Sequence, residues 1–153
     1  MLLVFEREAN PPSLDKLIPI LNHLDMVIPR KRFHHEFGAI LSYDPYLSPW
    51  SREWVRYYPE MARDLLLFNR HLIETRERID RRHWRVFQEW AGGEGSIDQV
   101  ARTMSRHPKT VRHSLGVVSN FLGVDRIDQI SRESLKKILR MVDFPGPWHD
   151  EQK

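Results

Sequence analysis

Along most of this chain, apolar residues recur at spacings of three and four. Leu14, Leu17, Ile18, Leu21 and Leu24 do so first. Met61, Leu65, Phe68 and Leu72 follow, and Val111, Leu115, Val118 and Leu122 give a third stripe. A helix repeats side-chain direction about every 3.6 residues and a strand every two, so these spacings gather apolar groups on one face only if the backbone is helical. Runs of β-branched residues are almost absent. The expected fold is all-α, with Leu2 to Phe5 open between a short strand and a docked arm.

Caps and breakers divide the helical signal. Ser13 is a candidate N-cap for the first stripe, but Pro19 lies deep enough either to kink that helix or to mark its first turn. Pro29 ends it. The segment from Arg30 to Tyr43 reads ambiguously, as a helix interrupted at Gly38. "SYDPYLSP" is turn chemistry, because a residue before proline avoids the helical region. Trp50, Trp54 and Tyr57 then fall at helical spacing, and Pro59 suits the first turn of a long helix reaching "IETRERIDRR". Glu74 and Arg78 pair there at i and i+4 on a solvated face.

Asp80 offers an N-cap for a helix with Trp84, Phe87 and Ala91 on one face, stopped by Gly92 and Gly93. Ser96 caps the next, in which Ile97, Val100, Ala101 and Met104 turn inward. After the turn "SRHP", Pro108 takes a first-turn position and Gly123 ends the helix. A last helix, with Ser131 as a possible cap, carries Leu135, Ile138, Leu139 and Val142.

Composition narrows the class. The chain has 153 residues, enough for one ordinary domain or two small ones, and 41% are hydrophobic, enough for a buried core. It contains no cysteine, which excludes disulfides and thiolate metal sites. Lys plus Arg number 24 against 21 Asp plus Glu, a mild excess that permits an anionic partner without requiring one. No stretch reaches the roughly 20 apolar residues of a spanning helix, and the N-terminal apolar run is too short for a signal-peptide core. A soluble protein of the cytoplasm, with no membrane partner, is expected.

Two short helices joined by about four residues, the second longer and basic, make a helix-turn-helix pattern. From Ile79 to about Val142 the sequence resembles the DNA-binding domain of the LuxR/GerE family of bacterial transcription regulators. "IDRRHWRVFQEWA" stands where that family has its opening helix. "SIDQVARTMSRHPKTVRHSLGVVSNFLGV" follows the family's core pattern without a gap over 29 residues. Val100-Ala101, Lys109-Thr110-Val111, Leu115 and Leu122-Gly123-Val124 carry the resemblance, which spans roughly 64 of 153 residues. The departures are specific. Ser105 replaces the family's turn glycine, His83 replaces an acidic residue, and the loop at Gly92 to Gly95 is one residue longer. Ile127 occupies the place of an arginine, and the late start of the last helix touches the family's usual dimer contact.

The resemblance implies a C-terminal four-helix helix-turn-helix domain at 79–145; the residues before it, outside the resemblance, read as a helical module at 1–78 for oligomerisation or partner binding, and 146–153 as a tail. The resemblance also implies a transcription regulator, bacterial or phage, that reads the major groove of double-stranded DNA with helix 107–122. The first 78 residues are too short for a phosphoacceptor receiver and lack the size of an acyl-homoserine-lactone domain.

With Val111, Leu115, Val118 and Leu122 turned inward, Lys109, Arg112, His113, Gly116 and Ser119 or Asn120 face outward. Arg112 has the fork to pair bidentately with guanine, and His113 can donate or accept one bond. Gly116 would let the helix sit deep. Lys109 and Thr110 suit phosphate at the helix start, and Arg102 and Arg106 are further phosphate candidates. A homodimer is expected, since two copies read two half-sites. From Ser96 to Arg126 there are five Lys or Arg against two Asp, and the same pattern describes a solvated basic face on a structural helix.

A second function class stays open, that of an adaptor or anti-activator whose helix-turn-helix binds another regulator or RNA polymerase. A promoter-recognition domain like that of sigma factors shares the pattern but would come with further sigma segments. "PRKRFHHEF" reads as an exposed loop or an auxiliary phosphate-binding arm. His34, His35 and Glu36 are adjacent, so their side chains diverge, and no metal site is expected. Trp50, Trp54, Tyr57, Tyr58, Tyr43 and Tyr46 read first as core and second as an interface. "GGEG" lacks the lysine of a phosphate-binding loop. No nucleophile motif or paired carboxylates occur, so neither an enzyme nor a cofactor is expected.

Overall fold

The structure is a computed structural model that describes residues 10–42 and 49–144. The arm at Leu2 to Phe5, the turn with Tyr43 and Tyr46, and the tail from 146 lie outside the described residues. Every regular element described is helical, and the fold is all-α. The helices are α1 (Leu14–Val27), α2 (Phe33–Ser42), α3 (Pro49–Tyr57), α4 (Pro59–Arg78), α5 (Arg81–Gly92), α6 (Ile97–Thr103), α7 (Pro108–Leu122) and α8 (Arg132–Met141). Short 3₁₀ turns occupy Arg30–Arg32 and Ile127–Gln129. No helix among the described residues is long and apolar enough to cross a membrane.

The chain forms two compact units, one made of residues up to 73 together with those from 141, the other of Glu74–Arg140. In the first unit, α1 continues through Pro19, which therefore neither starts nor stops it. The 3₁₀ turn at Arg30–Arg32 leads into α2, which continues through Gly38. That glycine faces the ring of Phe144, and an added Cβ would lie 2.5 Å from it, so the position makes room rather than breaking the helix. In α3 the buried residues are Ser51, Trp54 and Val55, while Tyr57 is 70% exposed. The inward face is thus turned from the expected Trp50-Trp54-Tyr57 stripe. Ser51 donates its hydroxyl to Glu36, which is buried in α2 and also faces Arg32 at 3.5 Å. His34 and His35 are exposed, so the three adjacent residues do diverge. Trp54 Nε1 donates to His23 Nδ1 at 3.3 Å. Pro59 opens α4, and Leu65, Phe68 and Leu72 are fully buried along it.

In the second unit, Asp80 caps α5 by accepting from the Arg82 backbone N–H at 2.8 Å. Ser96 caps α6 in a reciprocal capping box, its hydroxyl accepting from Gln99 N–H while the Gln99 side chain accepts from Ser96 N–H. Pro108 is in the first turn of α7, and Gly123, at φ 72°, ends it. Val111 and Val118 are wholly buried and Leu115 and Leu122 nearly so. Each such side chain stabilises by about 1.5–3 kcal/mol on burial. α7 packs on α5, on α6 and on the 3₁₀ turn at Ile127–Gln129.

One tie in this unit has no local sequence signal. The Arg132 guanidinium, at the start of α8, donates to the carbonyls of Trp90, Gly93 and Gly95 at 2.6, 2.9 and 2.8 Å. It also lies 4.1 Å from the centre of a Trp90 ring. These carbonyls belong to the end of α5 and the loop after it, where a helix leaves acceptors without intrahelical partners. Burial lowers the arginine's pKa from its ordinary value, opposed by Glu94.

Candidate nucleic-acid interface

The turn between α6 and α7 is built by a backbone device. Ser105 N–H donates to Arg102 O at 3.1 Å, and Arg106 N–H to Ala101 O at 2.8 Å. These two bonds are the paired closure of a Schellman motif, which requires a left-handed residue in the middle. Ser105 supplies it at φ 55°. The serine thus takes the conformation that glycine adopts without steric cost. The end of α7 closes with the same pair of bonds, Gly123 N–H to Asn120 O and Val124 N–H to Ser119 O.

His107 caps α7, its Nδ1 accepting from Lys109 N–H at 3.1 Å. An accepting Nδ1 places the ring proton on Nε2. The first-turn donor of Lys109 is therefore already engaged, and Lys109 would meet an anion through its ammonium.

Among the expected site residues, Arg102, Arg106, Lys109, Thr110, Arg112, His113 and Gly116 are exposed. Arg102 and Arg106 come from the end of α6 and the turn, the rest from α7. Among the described residues, the three arginines and Lys109 have no ion-pair partner. Gly116 is mid-helix, and a Cβ there would meet nothing within 4 Å. Glycine in a helix interior costs about 0.5–1 kcal/mol relative to alanine. Internal packing does not account for it.

Ser119 is placed differently from expectation. It is 4% exposed, its hydroxyl donates to Leu115 O at 2.8 Å, and it accepts from Ile127 N–H at 3.3 Å. It anchors the 3₁₀ turn to α7, its hydroxyl spent on the backbone. Asn120 is exposed instead. The signal was available: position 119 lies four after Leu115 and three before Leu122, on the flank of the buried stripe.

Two features escaped the sequence reading. His83 on α5 meets Ser114 of α7, and its ring packs edge-on against His113 with centroids 5.5 Å apart. The other is a cleft beside Gly116 and Arg112, floored by Ile97, Leu115 and Ile127 and rimmed by Asp125 and Asp128. Arg126 holds Asp128 through two bonds, at 3.2 and 2.7 Å, and this contact keeps the Asp128 carboxyl below its ordinary pKa. The α7 face therefore changes character along its length, cationic from Arg106 to Arg112 and mixed beyond Gly116.

Among the described residues, no group of three or more His, Cys, Asp or Glu is placed to hold a metal ion. No family model matches the chain, and neither a curated protein nor a solved structure matches it.

Proposed function

We propose that this protein binds double-stranded DNA sequence-specifically and regulates transcription, with α6 and α7 acting as a helix-turn-helix and α7 reading the major groove. The observation that carries this reading is the run of four exposed cations without ion-pair partners, Arg102, Arg106, Lys109 and Arg112, the last two sharing a face of α7 with an exposed mid-helix glycine that packing does not require. Lys109, Arg102 and Arg106 supply phosphate contacts, with the Thr110 hydroxyl beside them. Arg112 pairs with a guanine edge and His113 contributes one further bond. Gly116 lets the groove wall approach the helix backbone. The resemblance to LuxR/GerE regulators between Ile79 and Val142 supports the same assignment. Two copies reading two half-sites supply the specificity that one short helix lacks.

A fluorescence-anisotropy titration of genomic fragments tests this. Arg112→Ala removes about 1–3 kcal/mol of specific binding and relaxes one position of the site. Lys109→Ala weakens all sequences alike and lowers the salt slope by about 1. Failure to bind any fragment at low salt, where phosphate contacts are strongest, rejects the proposal.

One observation favours a second reading, a protein-binding adaptor. Asp125 at the rim of the cleft beside Gly116 suits a partner carrying a cation beside an apolar contact, while the Asp128 charge is met by Arg126. RNA polymerase or another regulator would fill that role. In this case Asp125→Asn weakens the partner and leaves DNA unaffected.

A further inference from the structure

A separate concavity of about 710 Å³ lies within the second unit, where α4 ends and α5 begins. Arg81, Trp84, Arg85 and Gln88 line it from the face of α5 turned away from His83, and Arg76, Glu77 and Ile79 complete its wall. Its size is that of a small-molecule site.

Three features of the lining point to one ligand chemistry. Arg76, Arg81 and Arg85 are exposed and, among the described residues, have no ion-pair partner. Glu77 is the acid of the lining, and nearby Asp80 is engaged by Arg82. Ile79 and Trp84, 6% and 5% exposed, give the wall an apolar part. Trp84 Nε1 is buried and has no hydrogen-bond acceptor. An indole N–H left without an acceptor inside a protein is unfavourable, and buried tryptophans ordinarily find one.

We propose that this cleft binds a small organic anion, a carboxylate or phosphate monoester carried on an apolar or aromatic body. The arginine forks hold the oxyanion, since guanidinium pairs with such groups bidentately. The body rests on the small apolar part of the wall that Ile79 and the Trp84 ring leave open. A duplex phosphate would use the arginines but not the apolar wall.

The full-length chain, labelled with ¹⁵N at its tryptophan indoles, is titrated with 2-naphthoate and 2-naphthyl phosphate. 2-Naphthalenemethanol and inorganic phosphate serve as controls. One indole N–H resonance shifts and saturates with the naphthyl anions at a dissociation constant below ~1 mM, and both controls bind about tenfold more weakly or worse. R81Q/R85Q, at exposed positions, weakens the naphthyl anions about tenfold or more with an unchanged melting profile. Trp84→Phe removes the shifted resonance; should that variant not fold, R81Q/R85Q still tests the site through the dissociation constant. Absence of saturation at ~10 mM overturns the proposal, as does equal binding of either control or unchanged binding by R81Q/R85Q. If R81Q/R85Q instead weakens duplex DNA while naphthoate never binds, the arginines are phosphate contacts and the proposal fails. No readout of the small anions requires DNA binding, so this site and the regulator assignment fail separately.

Discussion

His83 Nδ1 on α5 lies 2.8 Å from the Ser114 hydroxyl on α7. Ser114 is 1% exposed, so its hydroxyl has little access to water. The bond joins the opening helix of the second unit to the helix proposed to read DNA, at the position where the resembled family has an acidic residue. His83→Ala leaves a buried hydroxyl without that partner and lowers stability by about 1–3 kcal/mol in urea denaturation. Ser114→Ala costs less, because it removes the buried polar group itself. The double variant is less destabilised than the sum of the two, by about 0.5–1.5 kcal/mol. Strict additivity would show that the two side chains do not interact in solution.

Ser105 holds φ 55° in the turn between α6 and α7. A side chain in this region costs roughly 1–2 kcal/mol, while glycine is nearly indifferent but gains freedom in the unfolded chain. Ser105→Gly is therefore expected to raise stability by about 1 kcal/mol in thermal or urea unfolding. Ser105→Val at the same position is expected to destabilise, since branching at Cβ aggravates the clash. A destabilised glycine variant would mean that the turn is not left-handed.

Gly116 separates stability from binding. Nothing obstructs a Cβ there, and helix propensity favours alanine by about 0.5–1 kcal/mol. Gly116→Ala raises the melting temperature. If α7 reads DNA as proposed, Gly116→Leu folds equally well but loses specific affinity, because the larger side chain would hold the groove away from the helix. Undiminished binding by the leucine variant would remove close approach as the reason for the glycine.

Asp80 confers a specific acid dependence. The Arg82 side chain, then the Arg82 backbone N–H, hold its pKa down to about 2 from 3.8. A carboxylate with a depressed folded pKa stabilises the native state above its unfolded value, and that contribution disappears as pH falls through the folded one. The relevant window runs from about 3.8 down to about 2. Asp80→Asn keeps an N-cap acceptor, since asparagine caps nearly as well as aspartate. It flattens the pH dependence of unfolding in that window without moving it near neutrality. An unchanged acid limb would assign that limb to other carboxylates.

The helical class and most element ends are legible in the primary structure, because the responsible forces are local. Apolar periodicity placed Val111, Leu115, Val118 and Leu122 inside. Proline geometry started α4 and α7, glycine ended α7, and Asp80 and Ser96 provide caps to helices a few atoms away. The exposure of Arg102, Arg106, Lys109, Arg112 and His113 follows from the same periodicity.

Tertiary structure decided what distant residues impose. Glu36 is buried because Ser51, fifteen residues on, meets it, and Gly38 lies within a helix because Phe144 occupies the space a side chain would need. Ser119 is spent on the backbone of Ile127, eight residues away. Arg132 closes carbonyls nearly forty residues before it, beyond the reach of any helical or turn rule. The inward face of α3 depends on which neighbours it meets, so its aromatic spacing was insufficient. Periodicity specifies that a face is buried; only the packed partner specifies which polar side chains are used to hold it there.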